Sequence, residues 1–163
     1  MTEECREIIE VAEGPSVCKP AEPHAAAVQQ ESAYGIKVWI DKPYDEVLAS
    51  TKHALAEEGL QIITETDIRK LLQNKLGIGF PHYKILGVSD PKWIHEALDL
   101  DQDIGLLIPC NMVVYEQNEG TILEAVDTIA LYAIADSARL ADLARLLKQK
   151  FQDVIDHVAS GLA

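Results

Sequence analysis

The sequence predicts an α+β domain in which helices pack on an antiparallel sheet of five strands. Two observations carry that prediction. Short segments alternate apolar and polar residues with the period of a strand, as in Tyr34, Ile36, Val38 and Ile40 set between Gly35, Lys37 and Trp39. One long segment instead repeats Leu140, Leu143, Ala144, Leu147, Phe151, Val154, Ile155 and Val158 at spacings of three and four. That is a continuous apolar stripe on a helix, and its natural partner is one face of a sheet.

Each element has a local reason. After the strand that starts near Tyr34, Asp41 is placed to cap a helix and Pro43 suits its first turn. Val47, Leu48, Thr51 and Leu55 follow at helical spacing, and Gly59 ends the helix. Residues 60–66 form a second strand. Asp67 then caps a short helix with Ile68, Leu71, Leu72 and Leu76 expected inward, closed by Gly77. Residues 77–82 form a glycine-containing loop, and 83–88 a third strand. Ser89-Asp90-Pro91 starts a helix whose apolar side is Trp93, Ile94, Ala97 and Leu98. An acidic turn holds Asp99, Asp101 and Asp103. Residues 104–115 read as a fourth strand interrupted by Pro109, because proline cannot donate to a sheet ladder. Residues 116–120 turn the chain, and 121–127 return as a fifth strand, which makes a hairpin. Residues 1–33 stand apart as a poorly ordered acidic extension containing Pro15, Pro20 and Pro23, with a short helical turn around Ile8, Ile9 and Val11. The folded domain is expected to span 34–163.

Composition narrows the function classes. A chain of 163 residues has room for one domain and its core. There are 27 acidic and 14 basic residues, a formal charge of −13. That charge opposes nucleic-acid binding, which needs Lys and Arg against phosphate, and opposes anionic membrane surfaces. No segment is long and apolar enough to span a bilayer, and the first residues lack the basic and apolar regions of a signal peptide. A cytoplasmic protein is expected. Three cysteines, Cys5, Cys18 and Cys110, make no disulfide framework.

Five residues stand out as candidates for a site. Cys110 follows the proline break. It is either a reactive thiolate, serving as nucleophile, redox centre or metal ligand, or a small buried hydrophobe. Asn111 can bind a ligand or satisfy backbone groups left unpaired around Pro109. Asp67 is explained by its capping role, worth about 1 kcal/mol, and can also face a cleft. Lys84 is a solvated strand residue or an anion holder. His82, beside Phe80-Pro81, is a possible ligand or acid–base group. If the strands that carry them are neighbours, loop 77–82 can fold over the Pro109-Cys110-Asn111 break. No catalytic triad elbow, phosphate loop or dinucleotide fingerprint is present. No His-x-x-x-His or Cys-x-x-Cys pair marks a local zinc site, and Asp99, Asp101 and Asp103 lack the glycine and glutamate of a calcium loop. No catalytic set and no metal site is assigned.

The ordered series Thr64-Glu-Thr-Asp67, Lys75-Leu-Gly77, Tyr83-Lys-Ile-Leu-Gly87, Asp90-Pro91, Gly105-Leu-Leu-Ile-Pro-Cys-Asn111 and Val113-Val-Tyr-Glu116 resembles the DUF302 family. The resemblance implies a TATA-binding-protein-like α+β fold and a homodimer. It supplies no reaction and no cofactor, because the family's biochemical role is not established. One departure is visible: members commonly carry proline after the acidic residue ending the last strand, and here Thr128 follows Asp127. The expectation is a homodimeric module that binds a small polar ligand, an ion or a partner protein through Asp67, His82, Lys84, Cys110 and Asn111. The alternative is a thiol-dependent enzyme or redox protein using Cys110.

Overall fold

A computed structural model describes residues 26–161. In chain order the elements are β1 (Ala27–Gln30), β2 (Gly35–Ile40), α1 (Tyr44–Glu57), β3 (Gln61–Asp67), α2 (Ile68–Leu76), β4 (Tyr83–Ser89) and α3 (Pro91–Leu100). A 3-10 turn (Gln102–Leu107), β5 (Cys110–Gln117), β6 (Gly120–Val126), α4 (Thr128–Tyr132) and α5 (Ala138–Ser160) complete the fold. The strands form one sheet in the order β1-β2-β6-β5-β4-β3, with every neighbouring pair antiparallel.

Strand alternation sorts side chains to two faces. Val38, Ile40, Leu86, Met112, Val114, Leu123 and Ala125 are buried in one core with Val47 and Leu55 of α1 and Leu147, Phe151, Val154 and Ile155 of α5. Each fully buried large apolar side chain there stabilises the fold by roughly 1.5–3 kcal/mol. The alternate residues Lys37, Trp39, Tyr83, Ile85, Val113 and Tyr115 fall on the opposite face and stay half-exposed. On that face the Trp39 indole lies over Gly120, where an added Cβ would meet ring atoms at 2.6 Å. Trp39 Nε1 donates to the Gln117 carbonyl at 3.0 Å.

Several expectations are met. Asp67 caps α2 by accepting from the Lys70 amide, and Gly77 closes that helix in the left-handed region at φ 66°. Asp90 caps α3, with Pro91 at its start. The apolar stripe of α5 is buried along its length.

Others are corrected. The sheet has six strands, because β1 pairs with β2 from within the span read as an extension. The helical turn expected near Ile8 lies outside the described residues. Asp41 does not cap α1, whose N-cap is Pro43 with no side-chain hydrogen bond. The apolar stripe of α2 is only partly covered: no residue of that helix is fully buried, Ile68 and Leu72 are half-buried, and Leu71 and Leu76 are 45% and 64% exposed. Residues 104–107 are not strand but part of the 3-10 turn, whose cap is Asp101 accepting from the Asp103 amide. A short apolar run does not by itself distinguish strand from helical turn. Pro109 therefore precedes β5 rather than interrupting it, and no ladder bond inside the strand is lost.

The departure at Thr128 also acquires a reason. Asp127 caps α4 through the Ile129 and Ala130 amides, and Lys148 of α5 donates to Asp127 Oδ2 at 2.8 Å. The buried Thr128 hydroxyl donates to the Ala144 carbonyl at 2.7 Å, a bond proline could not make. The path into the last helix is thus pinned from both sides.

Candidate functional site

The register of β4 on β5 decides which candidate residues meet. Lys84 lies opposite Val114, while Asn111 and Cys110 lie opposite Gly87 and Val88. The four steps from Lys84 to Val88 span roughly 13 Å of strand. Asp67 is the cross-strand partner of Lys84, and His82 enters β4 just before it. Asp67, His82 and Lys84 therefore gather at one end of the ladder. Cys110 and Asn111 sit at the other, and loop 77–82 does not reach them.

At the Cys110 end the surroundings are closed. Cys110 is 1% exposed. Its Sγ lies 3.4 Å from the Tyr132 hydroxyl, which donates to the Leu107 carbonyl at 3.1 Å. Trp93 meets the Tyr132 ring edge-on, with centroids 5.2 Å apart. Burial pushes the thiol up to about 11, against a smaller opposing effect of the Tyr132 hydrogen bond. Burial, then the neighbouring thiol, also raises Tyr132. Little thiolate forms there at neutral pH, which fits the reading of this cysteine as a small buried hydrophobe. Pro109 packs on Gly87, where a Cβ would come within 2.6 Å of the proline ring and 2.2 Å of Thr64 Oγ1. Asn111 points to the other face and is exposed.

The His82 end is open and polar. The His82 ring stacks on Tyr44 with centroids 4.6 Å apart and planes 23° from parallel. Arg69, in the first turn of α2, donates from Nη1 to His82 Nε2. The backbones of His82 and Glu116 are joined by the Glu116 amide donating to the His82 carbonyl at 3.0 Å. The His82 amide returns a bond to Glu116 Oε2 at 3.0 Å. Burial, followed by the charges of Asp67, Asp45, Glu65 and Glu116, pushes the Tyr44 phenol up to about 12. It remains a neutral hydroxyl at all ordinary pH. Lys84 is engaged by Glu65 at 2.7 Å, and Lys52 holds the other oxygen of the same carboxylate at 2.7 Å. Hydrogen bonds from Lys52 and then Lys84 hold Glu65 below the usual carboxylate range. Lys84 is thus a strut for Glu65 rather than a free anion holder.

Two clefts flank the Tyr44–His82 stack. One of about 420 Å³ is lined by Asp67, Arg69, Lys70, Gln73, Asn74, Gly79, Phe80 and His82. The other, about 380 Å³, is lined by Lys42, Pro43, Tyr44, Pro81 and residues 116–120. The first joins cationic and amide groups to one aromatic wall, a combination suited to a small ligand with an anionic group. Sequence reasoning missed Tyr44, Arg69 and Glu116. They come from three separate elements, and only the register brings them to His82.

The family model for DUF302, a domain of unknown function, matches residues 36–158. The chain belongs to the DUF302 family. This DUF302 chain is also similar to a solved structure, that of an uncharacterized conserved DUF302 protein from Bacillus stearothermophilus. The two superpose with a TM-score of 0.72 at 21% identity, over 78% of this chain and 99% of that one. At that identity the likeness concerns the fold. No curated protein matches this DUF302 chain. Among the described residues no helix is long and apolar enough to cross a membrane.

Proposed function

We propose that this DUF302 protein is a cytoplasmic, homodimeric binding module whose cleft between α2 and loop 77–82 takes a small polar ligand bearing an anionic group. The observation that supports this most is the Arg69–His82–Tyr44 assembly, which holds one wall of the 420 Å³ cleft in a fixed geometry. A pre-set wall lowers the ordering cost of binding. The thiol-enzyme alternative has no support at Cys110, whose sulfur is buried and far from the cleft along β4. Thermal-shift and calorimetric titration with inorganic phosphate and a panel of small carboxylates tests the reading. At least one should stabilise the wild type, and R69A and H82A should weaken it tenfold or more. If every probe that binds does so equally well in both variants, or none binds, the cleft is not the site.

The dimer part rests on α2. Within the described residues its stripe is only half covered, with Leu71 and Leu76 exposed, and Ile63, Ile78 and Phe80 are 48%, 49% and 41% exposed. An amphipathic helix left uncovered in this way is suited to burial against a second copy. Light scattering should give about twice 18.0 kDa for the wild type, and an L71E/L76E variant should fall to the monomer mass. A wild type that stays at the monomer mass at all concentrations refutes the dimer without touching the ligand reading.

A further inference from the structure

We propose that His53, Glu57 and His157 form a binding site for a divalent transition metal of the zinc class, bridging α1 and α5. His53 and Glu57 stand one turn apart on α1, so their side chains share a face. His157 lies in the last turn of α5 and brings its ring against that face. The ligand atoms of all three lie within 4.8 Å of one another. His53 Nδ1 is 3.6 Å and His157 Nδ1 is 3.7 Å from the same oxygen, Glu57 Oε2. Both separations exceed hydrogen-bond length, which for N–H to O is about 2.7–3.2 Å. Two imidazole nitrogens therefore converge on one carboxylate oxygen without bonding to it. An ion seated among them at about 2.0–2.1 Å from each ligand would hold them roughly 3.3–3.6 Å apart. The two separations to Glu57 need change by only a few tenths of an ångström, and the two imidazoles, within 4.8 Å of each other, close the set by side-chain rotation.

The His157 ring turns Nδ1 toward Glu57 Oε2 at 3.7 Å, while its Nε2 is buried with no hydrogen-bond partner. The His53 and Glu57 side chains are 63% and 51% exposed, which leaves an aqueous ion an open path. Two imidazoles and a carboxylate suit zinc or its neighbours better than calcium or magnesium, which prefer all-oxygen sets. Three protein ligands leave a fourth position to water. The pair His95–Asp99 offers a contrast. It is also one turn apart, with Nδ1 and Oδ2 at 3.2 Å, and among the described residues no third ligand joins it. Bound metal at the first site would clamp α1 to α5, the two helices that roof the sheet.

The test uses the full chain with C5S and C18S substitutions, since free thiols compete for zinc. Titration of the metal-free protein with zinc should show one equivalent bound and a raised melting temperature. Cobalt should give the visible band of a four- or five-coordinate site without the near-ultraviolet thiolate band. H53A, E57Q and H157A should each lower zinc affinity at least tenfold, while H95A leaves it unchanged. If H157A fails to fold, the highly exposed His53 still decides. No binding, or binding that survives H53A and E57Q, overturns the proposal.

Discussion

The two ends of the β4–β5 ladder differ in kind. At the Val88–Cys110 end Trp93, Tyr132 and the 3-10 turn close over the strands; the Cys110 thiol and Tyr132 hydroxyl are paired, while Ser89 Oγ and Trp93 Nε1 are buried without a partner. At the Tyr83–Tyr115 end the same strands emerge beside α2, and Lys84, His82, Glu116 and the neighbouring Glu65 of β3 lie within reach of solvent. One end uses chemically interesting residue types to fill space, while the other uses them at a surface. Residue type alone does not predict role, because burial decides which property of a side chain is expressed.

That contrast can be broken most severely at Trp93. Its ring is 5% exposed and packs on Tyr132, so W93A should cost about 3–5 kcal/mol by urea denaturation. H82A at the open end should stay within about 0.5–1 kcal/mol of wild type. Similar losses at both ends would dissolve the distinction.

The thiol sharpens it next. Cys110 should label with a maleimide in the native protein no faster than global unfolding allows, and rapidly in urea. Its folded value of about 11 lies above the ordinary thiol value of 9.0. The stability this contributes is complete below pH 9 and is lost as pH rises toward 11. In C110A the alkaline decline should be shallower. Fast labelling of folded protein at neutral pH would restore the case for a reactive centre.

The smallest effect concerns Glu65. Its pKa is depressed by Lys52 and Lys84, so the stabilisation it gives is present above the ordinary carboxylate range and disappears as pH falls through the lowered value. E65Q should flatten the acid limb of a stability profile slightly and leave pH 7 almost unchanged, as a largely exposed pair requires. A steep acid limb identical in E65Q would assign it to other depressed carboxylates. Those are Asp127 and Asp90, where burial is outweighed by Lys148 and Lys150 respectively.

Much of this fold was legible in the chain because it is locally encoded. The α5 stripe, the Asp67 and Asp90 caps, Gly77 and the 116–120 hairpin each state their structure within a few residues. Asn118 and Glu119 both take positive φ at that hairpin, 52° and 63°. What was not legible depends on distant partners. Ala27-Val-Gln-Gln30 has too little alternation to announce a strand, and only pairing with β2 makes it one. The stripe of α2 looks like a core face because periodicity reveals amphipathicity and not the direction it points. The grouping of the candidate residues was not legible for the same reason: that Asp67, His82 and Lys84 gather at one end while Cys110 and Asn111 lie at the other is a matter of register. Within the metal trio, His53 and Glu57 are a visible helical pair, whereas His157 comes from the far end of the chain.

The placement of the two tryptophans, one in the core and one on the half-exposed face, gives the protein a pair of built-in optical reporters. The chain has only these two. Trp93, enclosed with Tyr132, should emit at short wavelength and report the integrity of the helical layer. Trp39, resting on Gly120 with its indole nitrogen tied to Gln117, should emit further to the red and respond to whatever approaches the open face. W39F and W93F proteins would therefore let one spectrometer follow folding and surface coverage as separate signals.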